Sequence, residues 1–141
     1  RRVSSDLLIL QSKDVVVMDM EAGIEHLGRG TAQGVDAFIV VVEPGERSLQ
    51  TYRKVKKLGK DIGVQRVFVV GNKMRDDEDI EFIKSNLEDG EALGFVHYNQ
   101  SVIDSDRANQ SPYDVSEETR NEIRAIKNRL LEIEAENKRN K

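Results

Sequence analysis

The sequence predicts an α/β fold: a parallel sheet with flanking helices. Short apolar runs recur, VVVM at 15–18, AFIVVV at 37–42 and RVFVV at 66–70. Each is rich in β-branched residues and lacks polar alternation, the pattern of strands buried on both faces. Between them, apolar residues return at helical spacing. Strands alternating with helices imply right-handed parallel crossovers.

Composition narrows the class. The chain has 141 residues, the size of one domain or a piece of one. Its 22 basic and 26 acidic residues leave a net charge of −4. A mildly acidic chain is unsuited to coating nucleic acid or an anionic membrane. No run of about 18 apolar residues offers a membrane span. Arg1-Arg2 precedes serines and a short apolar segment rather than the apolar core of a signal peptide. Cysteine is absent, which excludes disulfides and thiolate metal sites within the chain. Cytoplasm is the expected compartment.

The elements follow in order. Residues 1–11, with Leu7, Leu8, Ile9 and Leu10, read as the tail of a helix or a short strand, with helix favoured. Opening inside an element points to a fragment. The 15–18 strand ends at Asp19, and an acidic, glycine-bearing stretch follows: Glu21, Gly23, Glu25, Gly28 and Gly30. The 37–42 strand ends at Glu43-Pro44-Gly45, since proline cannot continue a central ladder. Ser48 is the expected N-cap of the next helix. Leu49, Tyr52, Val55, Leu58 and Ile62 form its apolar stripe, and Gly63 closes it.

Residues 66–70 form the third strand, with Gly71-Asn72-Lys73 beyond its carboxyl end. Residues 76–87 read as an amphipathic helix with acids in its first turn and Ile80, Ile83 and Leu87 inward. Residues 93–98 form a fourth strand, followed by Asn99-Gln100-Ser101. Residues 102–108 give one or two helical turns, and Ser111-Pro112-Tyr113-Asp114 a turn. The longest helix spans 116–137, capped by Ser116, with Ile123, Ile126, Leu130 and Ile133 as its stripe. The basic tail is expected to fray.

This arrangement lines Asp19, Pro44, Asn72 and Asn99 along one rim of the sheet. Ligands of open α/β sheets collect past the carboxyl ends of strands. A carboxylate there, Asp19, suits a hydrated Mg²⁺, and Gly23 allows close approach of backbone to phosphate. The alternative for Asp19 is a solvated loop carboxylate. Asn72 is either a turn residue or an amide offering donor and acceptor to a base. Tyr98, Asn99 and Gln100 are equally open to binding or structural roles. His97 is expected to be structural.

The run Asp19-Met20-Glu21-Ala22-Gly23-Ile24-Glu25-His26-Leu27-Gly28-Arg29-Gly30-Thr31 resembles the signature of CooC-type proteins. These are nickel-insertion ATPases that help mature carbon monoxide dehydrogenase, within the MinD/ParA group of P-loop ATPases. The resemblance implies that residues 1–141 are a single unit, the C-terminal portion of a P-loop ATPase domain lacking its N-terminal strands. It makes Asp19 the Walker-B-like acid behind the Mg²⁺ water shell and Gly23 the switch glycine facing the γ-phosphate. Asn72 would bind adenine, with the Lys73 stem along the base. Pro44, Asn99 and Gln100 would lie on neighbouring strand-end loops near the nucleotide.

Glu21 stands where many MinD-like proteins carry proline, in keeping with the CooC subgroup. Glu25, His26 and Arg29 would either signal nucleotide state or make local salt bridges. The implied cofactors are ATP and Mg²⁺, with nickel held only by cysteines absent from this chain. The implied partners are carbon monoxide dehydrogenase and, in the full-length protein, a second copy in a homodimer.

No glycine-rich loop with Lys and Ser/Thr occurs in the 141 residues. In the resembled family that loop, like the Cys-x-Cys nickel motif, lies upstream of the Asp19 strand. Phosphates need such a cradle of backbone N–H groups and a cation, so the chain alone is expected to be a poor ATPase or none. The rival readings are another MinD/ParA relative, a receiver-like signalling domain and a non-catalytic partner-binding remnant.

Overall fold

A computed structural model describes Val17 and residues 34–139 of the chain. Asp19, Gly23, the Glu25–Arg29 cluster and the element expected at 1–11 lie outside the described residues. The described elements are β1 (Phe38–Val42), α1 (Glu46–Ile62), β2 (Val67–Met74), α2 (Asp77–Lys84), β3 (Ala92–His97), α3 (Gln100–Arg107), α4 (Pro112–Val115) and α5 (Glu117–Arg139). The strands pair in the order β1-β2-β3, all parallel, as the alternating sequence predicts.

β2 is the spine. Successive strand side chains point to opposite faces, and Val67 through Val70 are all buried. Val67 and Val69 join Val40 and Val42 of β1, Leu49, Tyr52 and Val55 of α1, and Ile83 of α2. Phe68 and Val70 join Leu93 of β3 on the other face, under Ile126, Leu130 and Ile133 of α5. The result is three layers, with helices on both faces of the sheet.

Several boundaries differ from the sequence reading, each for a local reason. Helix α1 starts at Glu46, a turn earlier than expected, after Gly45 in extended conformation. Ser48 is therefore not its N-cap; the hydroxyl accepts a hydrogen bond from the Glu43 N–H instead. Gly63 does close α1 in the left-handed conformation, its N–H donating to the Gly59 carbonyl. Helix α2 ends at Lys84, leaving Leu87 in the following turn, where it still packs against the core. Its N-cap is Asp76, whose carboxylate accepts from the Asp79 N–H at 3.0 Å. Residues 111–114, expected as a turn, lead into the short helix α4.

Ser116 caps α5 as expected, its Oγ accepting from the Thr119 N–H at 3.1 Å. Ile123 departs from the expected stripe and stays 40% exposed, because α5 meets the sheet one turn later. The seat for that contact is Gly94: a Cβ there would sit 2.6 Å from Ile126 Cγ1. Helix α5 thus rests on bare β3 backbone.

A buried polar knot ties α1 to the segment entering β3. Glu91 accepts hydrogen bonds from the Tyr52 hydroxyl and from the Glu88 N–H at 2.7 Å, and pairs with Lys56 Nζ at 3.0 Å. Burial pushes the Glu91 carboxyl up, but these three donors outweigh it and hold it below the ordinary range. Burial, then the Glu91 hydrogen bond, pushes the Tyr52 phenol up to about 12.

Two outcomes follow from this packing. Gly94→Ala forces α5 off β3 and lowers unfolding free energy by about 1–3 kcal/mol, read from denaturant melts. The knot narrows the pH range of stability at both ends. Glu91 is depressed, so its contribution is present above the ordinary carboxylate value of 4.5 and lost as pH falls through its lower folded value. Tyr52 is raised, so its contribution is present below 10.0 and lost as pH rises toward about 12. Glu91→Gln, measured by thermal melts across pH, should remove the acid-side dependence and lower stability by about 1–3 kcal/mol at neutral pH.

Candidate functional site at the carboxyl rim of the sheet

Because the strands are parallel, their carboxyl ends share one rim. Pro44, Asn72 and Asn99 all reach it, two residues past the end of β1, near the end of β2 and two residues past the end of β3 respectively. Three links lace this rim together. Lys73 Nζ pairs with Glu43 Oε1 at 2.8 Å, joining the ends of β2 and β1. The Tyr98 N–H donates to the Met74 carbonyl at 2.7 Å, joining β3 to β2. Asn99 Nδ2 donates to Ser116 Oγ at 3.1 Å, joining β3 to the cap of α5.

Asn72 and Lys73 do not lie beyond β2 as expected; the strand continues to Met74. They form an irregularity in its edge with β3. Gly71 faces Phe95 and Met74 faces His97, so three steps on β2 oppose two on β3. The extra residue is a β-bulge, accommodated by Lys73 in the left-handed conformation at φ 58°. A residue with a Cβ adopts that conformation only against steric resistance. Gly71 enters the bulge under the Phe95 ring, where a Cβ would overlap ring carbons.

The polar side chains at the rim have different fates. Asn99 is the N-cap of α3: Oδ1 accepts from the Ser101 N–H at 2.8 Å while Nδ2 holds Ser116. Gln100 is the first residue of α3, donating to Asp104 Oδ1 and accepting from the Tyr98 hydroxyl. Lys73 is committed to Glu43, which holds its ammonium above the ordinary value through hydrogen bonding and charge. Asn72 is half-buried, and its carboxamide makes no hydrogen bond with another described residue. No buried side-chain polar atom among the described residues lacks a partner.

The chain is 37% identical over 125 residues to the carbon monoxide dehydrogenase accessory protein CooC of Rhodospirillum rubrum, across 89% of this chain and 48% of CooC. It is 40% identical over 129 residues to an uncharacterized ATP-binding protein of Methanocaldococcus jannaschii, across 89% of this chain and 49% of that protein. This is a CooC-family chain. A further ATP-binding protein of Methanocaldococcus jannaschii matches at 33% over 96 residues, 68% of this chain and 38% of that protein. The CooC-family match falls in the C-terminal part of these relatives, and the chain spans about half their length. No family model matches it.

Two features of this CooC-family chain escaped the sequence reading. Glu43 is the partner that anchors Lys73 across the rim, and nothing in a Glu-Pro-Gly turn announces such a contact. His97, the last residue of β3, receives Glu122 of α5 twice over. The carboxylate accepts from the His97 N–H at 3.2 Å and meets the ring Nδ1 at 2.6 Å. That carboxylate raises the imidazole above its ordinary value. The i, i+4 spacing of Glu118 and Glu122 was the available sequence signal. A hollow of about 600 Å³ opens here, lined by His97, Glu117, Glu118, Asn121, Glu122 and Ala125.

The bulge carries its own test. Lys73→Gly should raise the thermal midpoint by relieving the left-handed strain even as the ion pair is lost. Lys73→Ala keeps the Cβ and loses the pair, and should lower the midpoint.

Proposed function

We propose that this chain supplies the base-contacting and switch half of a nucleotide site in a CooC-type ATPase, one that transfers nickel to carbon monoxide dehydrogenase. The observation carrying this reading is the bulged end of β2, where the Asn72 carboxamide has no hydrogen-bond partner among the described residues. It coincides with the position to which the resemblance to the MinD/ParA group gives adenine binding. An amide presents one donor and one acceptor edge, which is what the adenine N6 amino group and its neighbouring ring nitrogen require. The names of the ATP-binding relatives support the same reading.

In this proposal the remaining rim residues shape the site. Asn99 fixes the entrance of α3 through its cap, so the loop after β3 approaches the base with its backbone. Gln100 is braced by Asp104 and Tyr98. Glu43 holds the Lys73 head, leaving its stem along the rim, and Pro44 turns the chain away from the sheet. Asp19 would anchor the water shell of Mg²⁺, which balances phosphate charge when bound, and Gly23 would present its N–H to the γ-phosphate. Catalysis would rest on positioning and charge stabilisation, as phosphoryl transfer generally does. Nickel is cargo, held by cysteines upstream, and a homodimer of the whole protein would place ATP between two copies.

The test uses the whole gene product carrying the phosphate-binding loop. Asn72→Ala should weaken ATP binding about 3- to 10-fold and narrow the preference for ATP over GTP, with kcat little changed; Asp19→Asn should abolish turnover. Titration of fluorescent adenine and guanine nucleotides reads the first, phosphate release the second. Unchanged ATP affinity and base preference in Asn72→Ala would remove the adenine assignment. The 141-residue chain alone should hydrolyse ATP poorly, with activity restored when the upstream half is added.

A further inference from the structure

We propose that His97, Glu118 and Glu122 form a binding site for one divalent transition-metal cation of the zinc, cobalt or nickel type, separate from the nucleotide rim residues. One ligand atom from each of the three residues lies within 4.8 Å of the other two. Three atoms so close surround a point that small side-chain rotations bring to the about 2.0–2.2 Å taken by such cations from nitrogen and oxygen.

The three groups come from two elements that the fold fixes against each other. His97 ends β3, and Glu118 and Glu122 are one turn apart on α5, so both carboxylates share a helix face. Gly94 and Ile126 set the spacing between these elements. Glu122 already stands against the imidazole Nδ1 and the His97 backbone N–H, so a cation entering between ring and carboxylate would take the place of the proton they share. Glu118 is exposed and makes no salt bridge or hydrogen bond with a described residue, so its oxygens remain available. The open hollow in front of the three residues admits a cation with its remaining waters.

Helix polarity does not account for the arrangement. Glu117 and Glu118 sit in the first turn of α5, where negative charge is favoured. Glu122 lies in the second turn, and like charges at i, i+4 oppose helix formation. A bound cation would offset that repulsion. The ligand types choose the cation: imidazole nitrogen suits zinc, cobalt and nickel, whereas Mg²⁺ takes oxygen and holds its waters.

Isothermal titration of the full 141-residue chain with Zn²⁺ or Mg²⁺ tests the site, with thermal melts as a second measurement. One Zn²⁺ should bind per chain and raise the thermal midpoint, with Mg²⁺ binding at least tenfold more weakly. Glu118→Gln, an exposed substitution outside every described hydrogen bond, should weaken Zn²⁺ at least tenfold and suppress the midpoint shift, as should His97→Gln. His26→Gln should leave Zn²⁺ binding intact. The proposal is overturned if Zn²⁺ fails to bind, if its binding survives both Glu118→Gln and His97→Gln, if it follows His26 instead, or if Mg²⁺ binds as well as Zn²⁺ and is indifferent to His97→Gln.

Discussion

Burial of β2 on both faces is the constraint on which the rest of the described structure depends. Val67 and Val69 serve one helical layer, Phe68 and Val70 the other. Each buried side chain of this size contributes about 1.5–3 kcal/mol relative to exposure. Among the described residues, α1 and α2 pack on one face of this strand and α5 on the other. Once β2 is fixed, parallel pairing dictates that the ends of all three strands emerge together, and the rim exists before any polar residue is placed on it.

That dependence explains what could be read from the sequence and what could not. The strands at 37–42 and 66–70 were visible as unbroken β-branched runs without polar alternation. Helix α1 was visible because Leu49, Tyr52 and Val55 recur at helical spacing, and its end was marked by Gly63, which adopts the left-handed conformation. Family resemblance was legible in the run from Asp19 to Thr31, and the CooC match bears it out. The start of α1 was misread because Ser48 is a capping residue type used for another purpose. The bulge at Lys73 was invisible, since no lysine advertises a positive φ; it arises from the register that Phe95 and His97 impose on β2. The pairing of His97 with Glu122 joins residues 25 apart in sequence and depends on where α5 settles.

The two sheet faces are unequally covered at β1. Val40 and Val42 are buried beneath α1, while Ile39 and Val41 are 43% and 61% exposed on the opposite face. Helix α5 packs over β2 and β3 and does not extend over β1. The run at 37–42 has the composition of a strand buried on both sides, yet among the described residues only one side is covered. The composition of β1 therefore records a larger apolar environment than the described residues provide. This agrees with a chain spanning about half the length of its CooC-family relatives.

Asn72 and Asn99 illustrate how the same side chain acquires different roles at one rim. Both lie at the carboxyl end of the sheet, and for each the sequence offers a binding and a structural reading. Asn99 stands immediately before a helix, where the first N–H groups have no internal partners, and its oxygen is consumed by one of them. Its amino group is consumed by Ser116. Asn72 stands inside a bulged strand end, where the ladder is interrupted, and neither of its amide groups is claimed by a described residue. A side chain satisfied within the protein gives up those hydrogen bonds before it can recognise a ligand, and the exchange gains little. One that is already turned toward solvent gives up only water. The difference between a structural and a recognising asparagine is thus set by the backbone each one follows: a helix start consumes the amide, and a bulge leaves it available.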